Sequence, residues 1–193
     1  MNENLFVLFV TMALINNFIL VRFLGLCPFF GISKNIGNAI SMGIAVTFVM
    51  VIASAITWLI NTLVLIPHNI GYMNIVMYIL VIAVMVQIVE MLIKRTNLTL
   101  YNALGIYLPL LTVNCAILGA SLFMVQRDLG FMESVAYGLG AGVGWALAIV
   151  MLAGLREKMK YSDIPEGLQG LGIAFITTGL ISLAFMGIAG LSF

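Results

Sequence analysis

Charged residues are scarce in this chain. Lys, Arg, Asp and Glu make up 8% of its 193 residues, whereas hydrophobic residues make up 63%. An ordinary soluble domain has about 25% charged and about 45–50% apolar residues. The polar surface is therefore too small to coat a water-facing domain, and we expect the chain to lie in lipid. Its formal net charge of +1 also argues against a nucleic acid as partner, because phosphate backbones are bound by strongly basic surfaces.

Other absences narrow the function further. Two cysteines are too few for a disulfide-rich secreted scaffold. The N-terminus, Met1-Asn2-Glu3-Asn4, has no basic region, and no small-residue cleavage site follows it. We therefore expect the first apolar segment to remain as a membrane anchor. The sequence has no nucleotide, flavin or hydrolytic motif, so no flavin or nucleotide site is expected in this chain.

The apolar residues form six long segments. Lipid offers no hydrogen bonds to an open backbone, so segments of this length are predicted to be helical. Polar and turn-forming residues separate them, notably in the stretch Asn61–Asn74 and at Arg127, Asp128 and Glu133. The sequence thus predicts an all-α integral membrane protein with six transmembrane helices, in Leu5–Ser33, Ile36–Ile60, Ile75–Ile93, Leu98–Val125, Ser134–Leu155 and from Leu168 to the C-terminus.

The two cysteines lie in the same short motif. Cys27 and Cys115 each begin a C-x-x-x-G-x-S sequence, and 88 positions separate them (115 minus 27). The match predicts two related halves in a single membrane domain, a first repeat over about 4–95 and a second over about 98–193. Three spans per half is an odd number, so the second half would enter the membrane from the opposite side. The halves would then be inverted repeats related by a pseudo-two-fold axis in the membrane plane.

The first and fourth segments are longer than a single span needs. Each carries its cysteine near glycine or proline: Pro28 and Gly25 flank Cys27, and Pro109 precedes Cys115. Paired interruptions at matching places in two halves are typical of broken helices at a functional midplane. We predict helices 1 and 4 to be broken near the two cysteines; the alternative is two long helices that are tilted or kinked.

Three roles are open for the cysteines. A buried Cys often only packs as a small apolar residue, and inversion could also bring the two close enough for a disulfide. The third role is iron–sulfur ligation, but a [2Fe–2S] cluster normally takes four thiolates, so Cys27 and Cys115 could hold only half of one. The amides of Asn16, Asn17 and Asn114 are expected mainly to hold helices together.

The basic residues predict the orientation. Seven fall on one side of the predicted spans and one, Arg127, on the other. If the first helix is broken, Arg22 can instead lie within the membrane, which leaves six against one. In both cases the first side is expected to be cytoplasmic and both termini outside. The seven are Arg22, Lys34, Lys94, Arg95, Arg156, Lys158 and Lys160.

Three runs of residues resemble one family of bacterial membrane proteins, the RnfA/RnfE/NqrD/NqrE family of the Rnf complexes and the sodium-pumping quinone reductase. The runs are NNFILVRFLGLCPF at Asn16–Phe29, LPLLTVNCA at Leu108–Ala116 and SLAFMG at Ser182–Gly187. The resemblance covers essentially the whole chain, and the first cysteine motif is most similar to the RnfA branch.

This resemblance implies a role in an ion-translocating ferredoxin:NAD oxidoreductase of the inner membrane. It implies that Cys27 and Cys115 are iron ligands of an intramembrane [2Fe–2S] cluster, with the other two thiolates from an RnfE-like paralogue in opposite topology. It also implies further partners, RnfB, RnfC, RnfD and RnfG, and translocation of Na+ or H+ coupled to the electron relay. No catalytic residue is expected in this chain. The competing hypothesis is an inverted-repeat secondary transporter or channel in which the cysteines only pack.

Overall fold

The computed structural model describes residues 4–68, 73–96, 114–163 and 165–190. Regular structure in these ranges is helical throughout, as the sequence predicts. The main helices are α1 (Leu5–Val10), α2 (Leu26–Ile32), α3 (Ile36–Ile60), α4 (Asn74–Thr96), α5 (Cys115–Gln126), α6 (Phe131–Met159) and α7 (Leu171–Gly190).

Three described helices are long and apolar enough to cross a membrane: Ile36–Leu65, Ile75–Leu92 and Phe131–Met159. Three shorter apolar helices accompany them, over Leu5–Ile15, Cys115–Gln126 and Leu171–Gly187. Many large apolar side chains on these helices are exposed, for example Phe6, Ile44 and Leu183. Such a surface fits lipid rather than water. The six predicted spans and the inverted repeats stay predictions.

The predicted break in the first apolar segment is present. α1 passes through a π-helical turn, Thr11–Ile15, into an irregular stretch over 16–25, and α2 then begins. In the fourth segment, α5 begins at Cys115. Residues 98–113, including Pro109, lie outside the described residues, so a break there stays a prediction.

Two predicted boundaries are wrong. The sequence predicts a turn from Asn61 onward, but the helix continues through a π turn, Asn61–Leu65, and a last helical turn, Ile66–His68. The Asn61 side chain does not cap the helix, because its Oδ1 accepts a hydrogen bond from the Tyr78 hydroxyl at 3.1 Å. The sequence also predicts a loop at Glu133, but this residue lies in the first turn of α6, where its Oε2 accepts the Gly130 N–H at 3.0 Å.

α3 and α6 form the centre of the bundle. They run antiparallel and so close together that a Cβ at Gly142 would lie 2.7 Å from Thr47 Cα, and one at Gly43 would lie 2.9 Å from Ala146 Cβ. Backbones this close need small residues at the seam. The alternate glycines of α6 serve two neighbours, since Gly138 and Gly142 face α3, whereas Gly140 and Gly144 face α1 and the turn that follows it. Small residues permit close packing of membrane helices, so these alternate glycines predict it from the sequence, and the structure confirms the prediction.

Contacts between helix ends show which residues share an end of the bundle. Lys34, Arg156 and Lys160 line one cavity, and Arg156 Nη1 donates hydrogen bonds to Phe30 O at 3.0 Å and Ser33 Oγ at 2.7 Å. We call this the basic end.

The assignment of Arg22 to this end is wrong. Its Cζ lies 4.2 Å from the ring centroid of Phe123, near the end of α5. Phe18 contacts both Phe123 and Tyr137, and Arg127 lies over the Tyr137 ring. Arg22 therefore belongs with Arg127, because the irregular backbone before α2 turns it away from the basic end. The split of basic residues becomes six against two.

Candidate functional site

The irregular stretch before α2 places Cys27. Gly25 is the N-cap of α2 with φ +85° and ψ 24°, a left-handed conformation that glycine adopts without steric cost. Cys27 is the second helical residue and its side chain is exposed. Pro28 follows in the first turn, where no backbone N–H is needed for the helix.

Cys115 is placed by a different cap. It is the first residue of α5, and Asn114 is the N-cap, whose Oδ1 accepts the Ala116 N–H at 3.0 Å. Asparagine is among the favoured N-cap residues because its side chain satisfies one of the free N–H groups of the first turn. Cys115 is half-buried, and both cysteines are free thiols rather than a disulfide.

One hydrogen bond joins the two cysteine-bearing helix starts. The Gly25 N–H donates to Cys115 Sγ at 3.0 Å. From this point α2 runs toward the basic end, where Arg156 binds its last turn, while α5 runs the other way, toward Arg127. Two helices thus start beside each other, each with a cysteine in its first turn, and point in opposite directions.

The packing around Gly25 leaves no room for a side chain. A Cβ at this position would lie 2.6 Å from Trp145 Nε1 and 2.9 Å from Ala116 Cβ. Trp145 is fully buried in α6, so the indole forms a wall behind the Gly25–Cys115 contact.

Two buried donors at this site lack partners. Neither Trp145 Nε1 nor Asn114 Nδ2 finds a hydrogen-bond acceptor among the described residues, although Trp145 is 0% and Asn114 only 3% exposed. A buried donor without an acceptor costs about 1–3 kcal/mol. Among the described residues, the site therefore holds two donors that have no acceptor, which is the polarity that suits a sulfur anion or another electron-rich group.

Asn17 holds the irregular stretch in place, as expected for an intramembrane amide. It is buried, its Nδ2 donates to Gly144 O at 2.7 Å, and its Oδ1 accepts the Ile19 N–H at 3.0 Å. Ser182 of α7 contributes from another direction, because its hydroxyl donates to Leu20 O.

Sequence reasoning missed Trp145 and Ser182. The only sequence signal was a tryptophan in the middle of a glycine-rich apolar segment, where an indole N–H needs a partner. Ser182 is a hydroxyl in an apolar run and begins the third run that resembles the family, but neither feature indicates its contact with Leu20. Among the described residues there is no group of three or more His, Cys, Asp and Glu side chains that could hold a metal ion. The described part of the chain thus offers Cys27 and Cys115 alone as thiolate ligands.

Comparison with known proteins identifies the family. The family described as "Rnf-Nqr subunit, membrane protein" matches residues 5–192. The chain is 53% identical over 180 residues to the A subunit of the ion-translocating oxidoreductase complex of Azoarcus sp. (strain BH72), covering 93% of each chain. It is 50% identical over 186 residues to the protein of that name from Photorhabdus laumondii, covering 96% of each. It is 49% identical over 177 residues, 92% of each, to the A subunit of the Na(+)-translocating ferredoxin:NAD(+) oxidoreductase complex of Acetobacterium woodii. The chain belongs to the Rnf-Nqr family of membrane proteins.

Proposed function

We propose that this member of the Rnf-Nqr family is a membrane subunit of an ion-translocating ferredoxin:NAD oxidoreductase complex. In this proposal Cys27 and Cys115 supply half the ligands of a [2Fe–2S] cluster, and an RnfE-like paralogue in opposite topology supplies the other half. The observation that carries the proposal is the hydrogen bond from the Gly25 N–H to Cys115 Sγ. It brings the only two cysteines of the chain to neighbouring helix starts, as a shared ligand site requires.

The residues present fit half a cluster. A four-thiolate site cannot be completed by two cysteines, and Cys27 is exposed, so it can face a second protein. The ligand sulfurs and sulfides of such a cluster are hydrogen-bond acceptors whose partners tune its potential. Trp145 Nε1 and Asn114 Nδ2 are buried donors beside this site that find no acceptor in the part of the chain that the structure describes, and they fit this requirement.

The chain's own residues hold the ligands and exclude water. Cys115 is fixed by its place in the first turn of α5 and by the Gly25 N–H. The N–H groups of a helix start stabilise a thiolate there. Trp145 and Ala116 close the side of the site that faces the bundle. When bound, the cluster would supply one-electron transfer within the membrane.

The contacts between α3 and α6 support two inverted halves. Gly43 packs on Ala146, and Trp58 packs on Phe131 with ring centroids 5.2 Å apart. Adding 88, the spacing of the cysteines, to Gly43 and Trp58 gives positions 131 and 146. The two contacts are therefore each other's images under the repeat, as a two-fold axis between α3 and α6 demands.

A third contact falls on the same axis. A Cβ at Gly138 would lie 3.1 Å from the carbonyl oxygen of Met50, and position 138 is the repeat counterpart of position 50. A residue that touches its own counterpart lies at the axis. These pairs favour repeats over about 4–95 and 98–193 and a total of six spans.

The proposal includes orientation and partners. With six basic residues at one end against Arg22 and Arg127 at the other, the basic end faces the cytoplasm, and both termini lie outside the inner membrane. RnfB, RnfC, RnfD and RnfG are the remaining partners, and either Na+ or H+ is the translocated ion. Flavin and nucleotide sites belong to those other subunits.

Electron paramagnetic resonance of the chain co-expressed with its paralogue tests the proposal. We expect one [2Fe–2S] signal per pair, little cluster in the chain expressed alone, and loss or alteration of the signal in Cys27→Ala and Cys115→Ala. Ser41→Ala is the matched control, because its hydroxyl donates only within α3, to Gly37 O at 3.0 Å.

Electron transfer separates the two functional hypotheses. Ferredoxin-driven NAD reduction and coupled ion uptake should fall together in both cysteine variants while the flavins of other subunits stay bound. Near-normal activity in a well-assembled Cys27→Ala or Cys115→Ala complex would favour a transporter or channel in which the cysteines only pack. A stoichiometric cluster in the isolated monomeric chain would show that the ligand set is wrong.

A further inference from the structure

The basic end contains a cavity of about 570 Å³. It lies where the connection from α2 to α3, the last turn of α6 and the start of α7 meet. Its charged lining residues are Lys34, Arg156 and Lys160, and no lining residue in the described part of the chain carries a carboxylate. The other lining residues are Asn35, Met159, Ser162, Gln169, Gly170 and Ile173.

One of the three charged side chains of this cavity, Arg156, is held in place by the protein itself. Its guanidinium donates hydrogen bonds to Phe30 O and Ser33 Oγ, and these two contacts fix its position in the wall. Gly170, with φ +92°, lies immediately before α7. The start of this 20-residue helix adds the partial positive charge of its free N–H groups to the same space. Three full positive charges and this helix start thus converge on one cavity.

The chemistry of the lining selects an anion, and its position selects a lipid. Basic pockets between helices at a membrane surface bind the phosphate of anionic headgroups. Met159 and Ile173 add apolar surface to the lining. Beside the cavity, on the first turns of α7, Leu171 and Phe175 are 60% and 55% exposed, so acyl chains can lie against them. We propose that this cavity binds the phosphate of an anionic phospholipid.

This proposal does not depend on the cluster. It is tested on the detergent-solubilised complex that contains the chain, by titration with acyl-labelled phosphatidylglycerol and phosphatidylcholine followed by fluorescence anisotropy. We expect clear preference for phosphatidylglycerol. The Lys34→Gln change and the Lys160→Gln change should each weaken its binding about fivefold, and together about 25-fold, because each lysine contributes one charge near the headgroup.

Two further variants keep the result specific. Lys158→Gln removes the same charge two residues before Lys160, but Lys158 is not part of the lining, so binding should be unchanged. Lys34→Arg with Lys160→Arg keeps both charges and should retain the preference.

Three outcomes would overturn the assignment. Equal loss in Lys158→Gln would mean that diffuse surface charge attracts the lipid. Full displacement of phosphatidylglycerol by excess inorganic phosphate would mean that the cavity takes the free anion. Equal affinity for the two lipids in the unaltered complex would mean that the cavity recognises no anionic headgroup.

Discussion

Substituting Gly25 by alanine tests the geometry of the cysteine site directly. Gly25 has φ +85°, and a non-glycine residue held in the left-handed region costs about 1–2 kcal/mol. The added Cβ would also lie 2.6 Å from Trp145 Nε1 and 2.9 Å from Ala116 Cβ, and overpacking of this kind costs about 1–3 kcal/mol. The sum is about 2–5 kcal/mol, a large share of the about 5–15 kcal/mol by which domains are stable.

The assay is the thermal midpoint of the purified complex, together with its content of the proposed [2Fe–2S] cluster. Gly25→Ala should lower both, because the backbone that donates to Cys115 Sγ has to move. Gly37→Ala is the matched control. It lies in the first turn of α3, and a Cβ there meets nothing within 4 Å, so it should be neutral or slightly stabilising.

A second substitution relieves one of the two contacts. Ala116→Gly in the Gly25→Ala background removes the contact between the two Cβ atoms but leaves the contact with Trp145 Nε1 and the backbone strain. We expect partial recovery of the thermal midpoint. Unchanged stability in Gly25→Ala would refute the close approach of Trp145 and Ala116 to Gly25, and full recovery in the double variant would refute the strain at Gly25.

Three further predictions concern packing, hydrogen bonding and topology. Gly142→Ala should destabilise the chain by about 1–3 kcal/mol, since its Cβ would meet Thr47 Cα at 2.7 Å; thermal melting should show no such loss for Gly154→Ala, whose Cβ meets nothing within 4 Å. Asn17→Ala should cost about 1–3 kcal/mol for each buried backbone group left without a partner, measured as a lower melting temperature and faster proteolysis of the irregular stretch before α2. Reporter fusions at Lys94 should read as cytoplasmic and those after the last residue as external.

Three experimental results would contradict these predictions. Equal melting of the two glycine variants would mean that α3 and α6 are further apart than described. A normal melting temperature for Asn17→Ala would mean that other groups satisfy the backbone of the break. A cytoplasmic C-terminus would contradict both the six spans and the inverted halves.

Local patterns in the sequence predicted the features that depend on neighbouring residues alone, namely a helix start, a helix break and close helix contacts. The start of α3 at Ile36 follows from the beginning of a long apolar run, and the structure starts the helix at the same residue. The break before Cys27 follows from glycine and proline in an over-long segment. The alternate glycines of α6 predicted close helix contacts, because a residue without a side chain lets two helices approach closely whichever helix it faces.

The same local patterns could not predict contacts between residues that are distant in sequence. Nothing near Arg22 in sequence shows that it lies over Phe123, about a hundred positions away, so its charge was counted on the wrong side. Asn61 is predicted to end a helix, because the sequence does not show that its side chain accepts a hydrogen bond from the Tyr78 hydroxyl. The indole of Trp145 reaches Gly25 because glycines let α6 pack closely on α1 and α3. This approach depends on three segments together, so no single segment predicts it.

The break before α2 explains why the cysteine site depends on the whole bundle. Open backbone is tolerated at membrane depth only where protein groups satisfy it. In this chain the Leu20 carbonyl accepts from Ser182 of α7, and the Gly25 N–H donates to Cys115 of α5. Asn17 ties the start of the stretch to Gly144 of α6. Three helices distant in sequence therefore hold the ten residues that lead to Cys27. A substitution in these helices that removes one of these hydrogen bonds is expected to displace Cys27 without contacting it. Loss of a cluster signal would therefore identify a ligand only when the fold is shown to be intact.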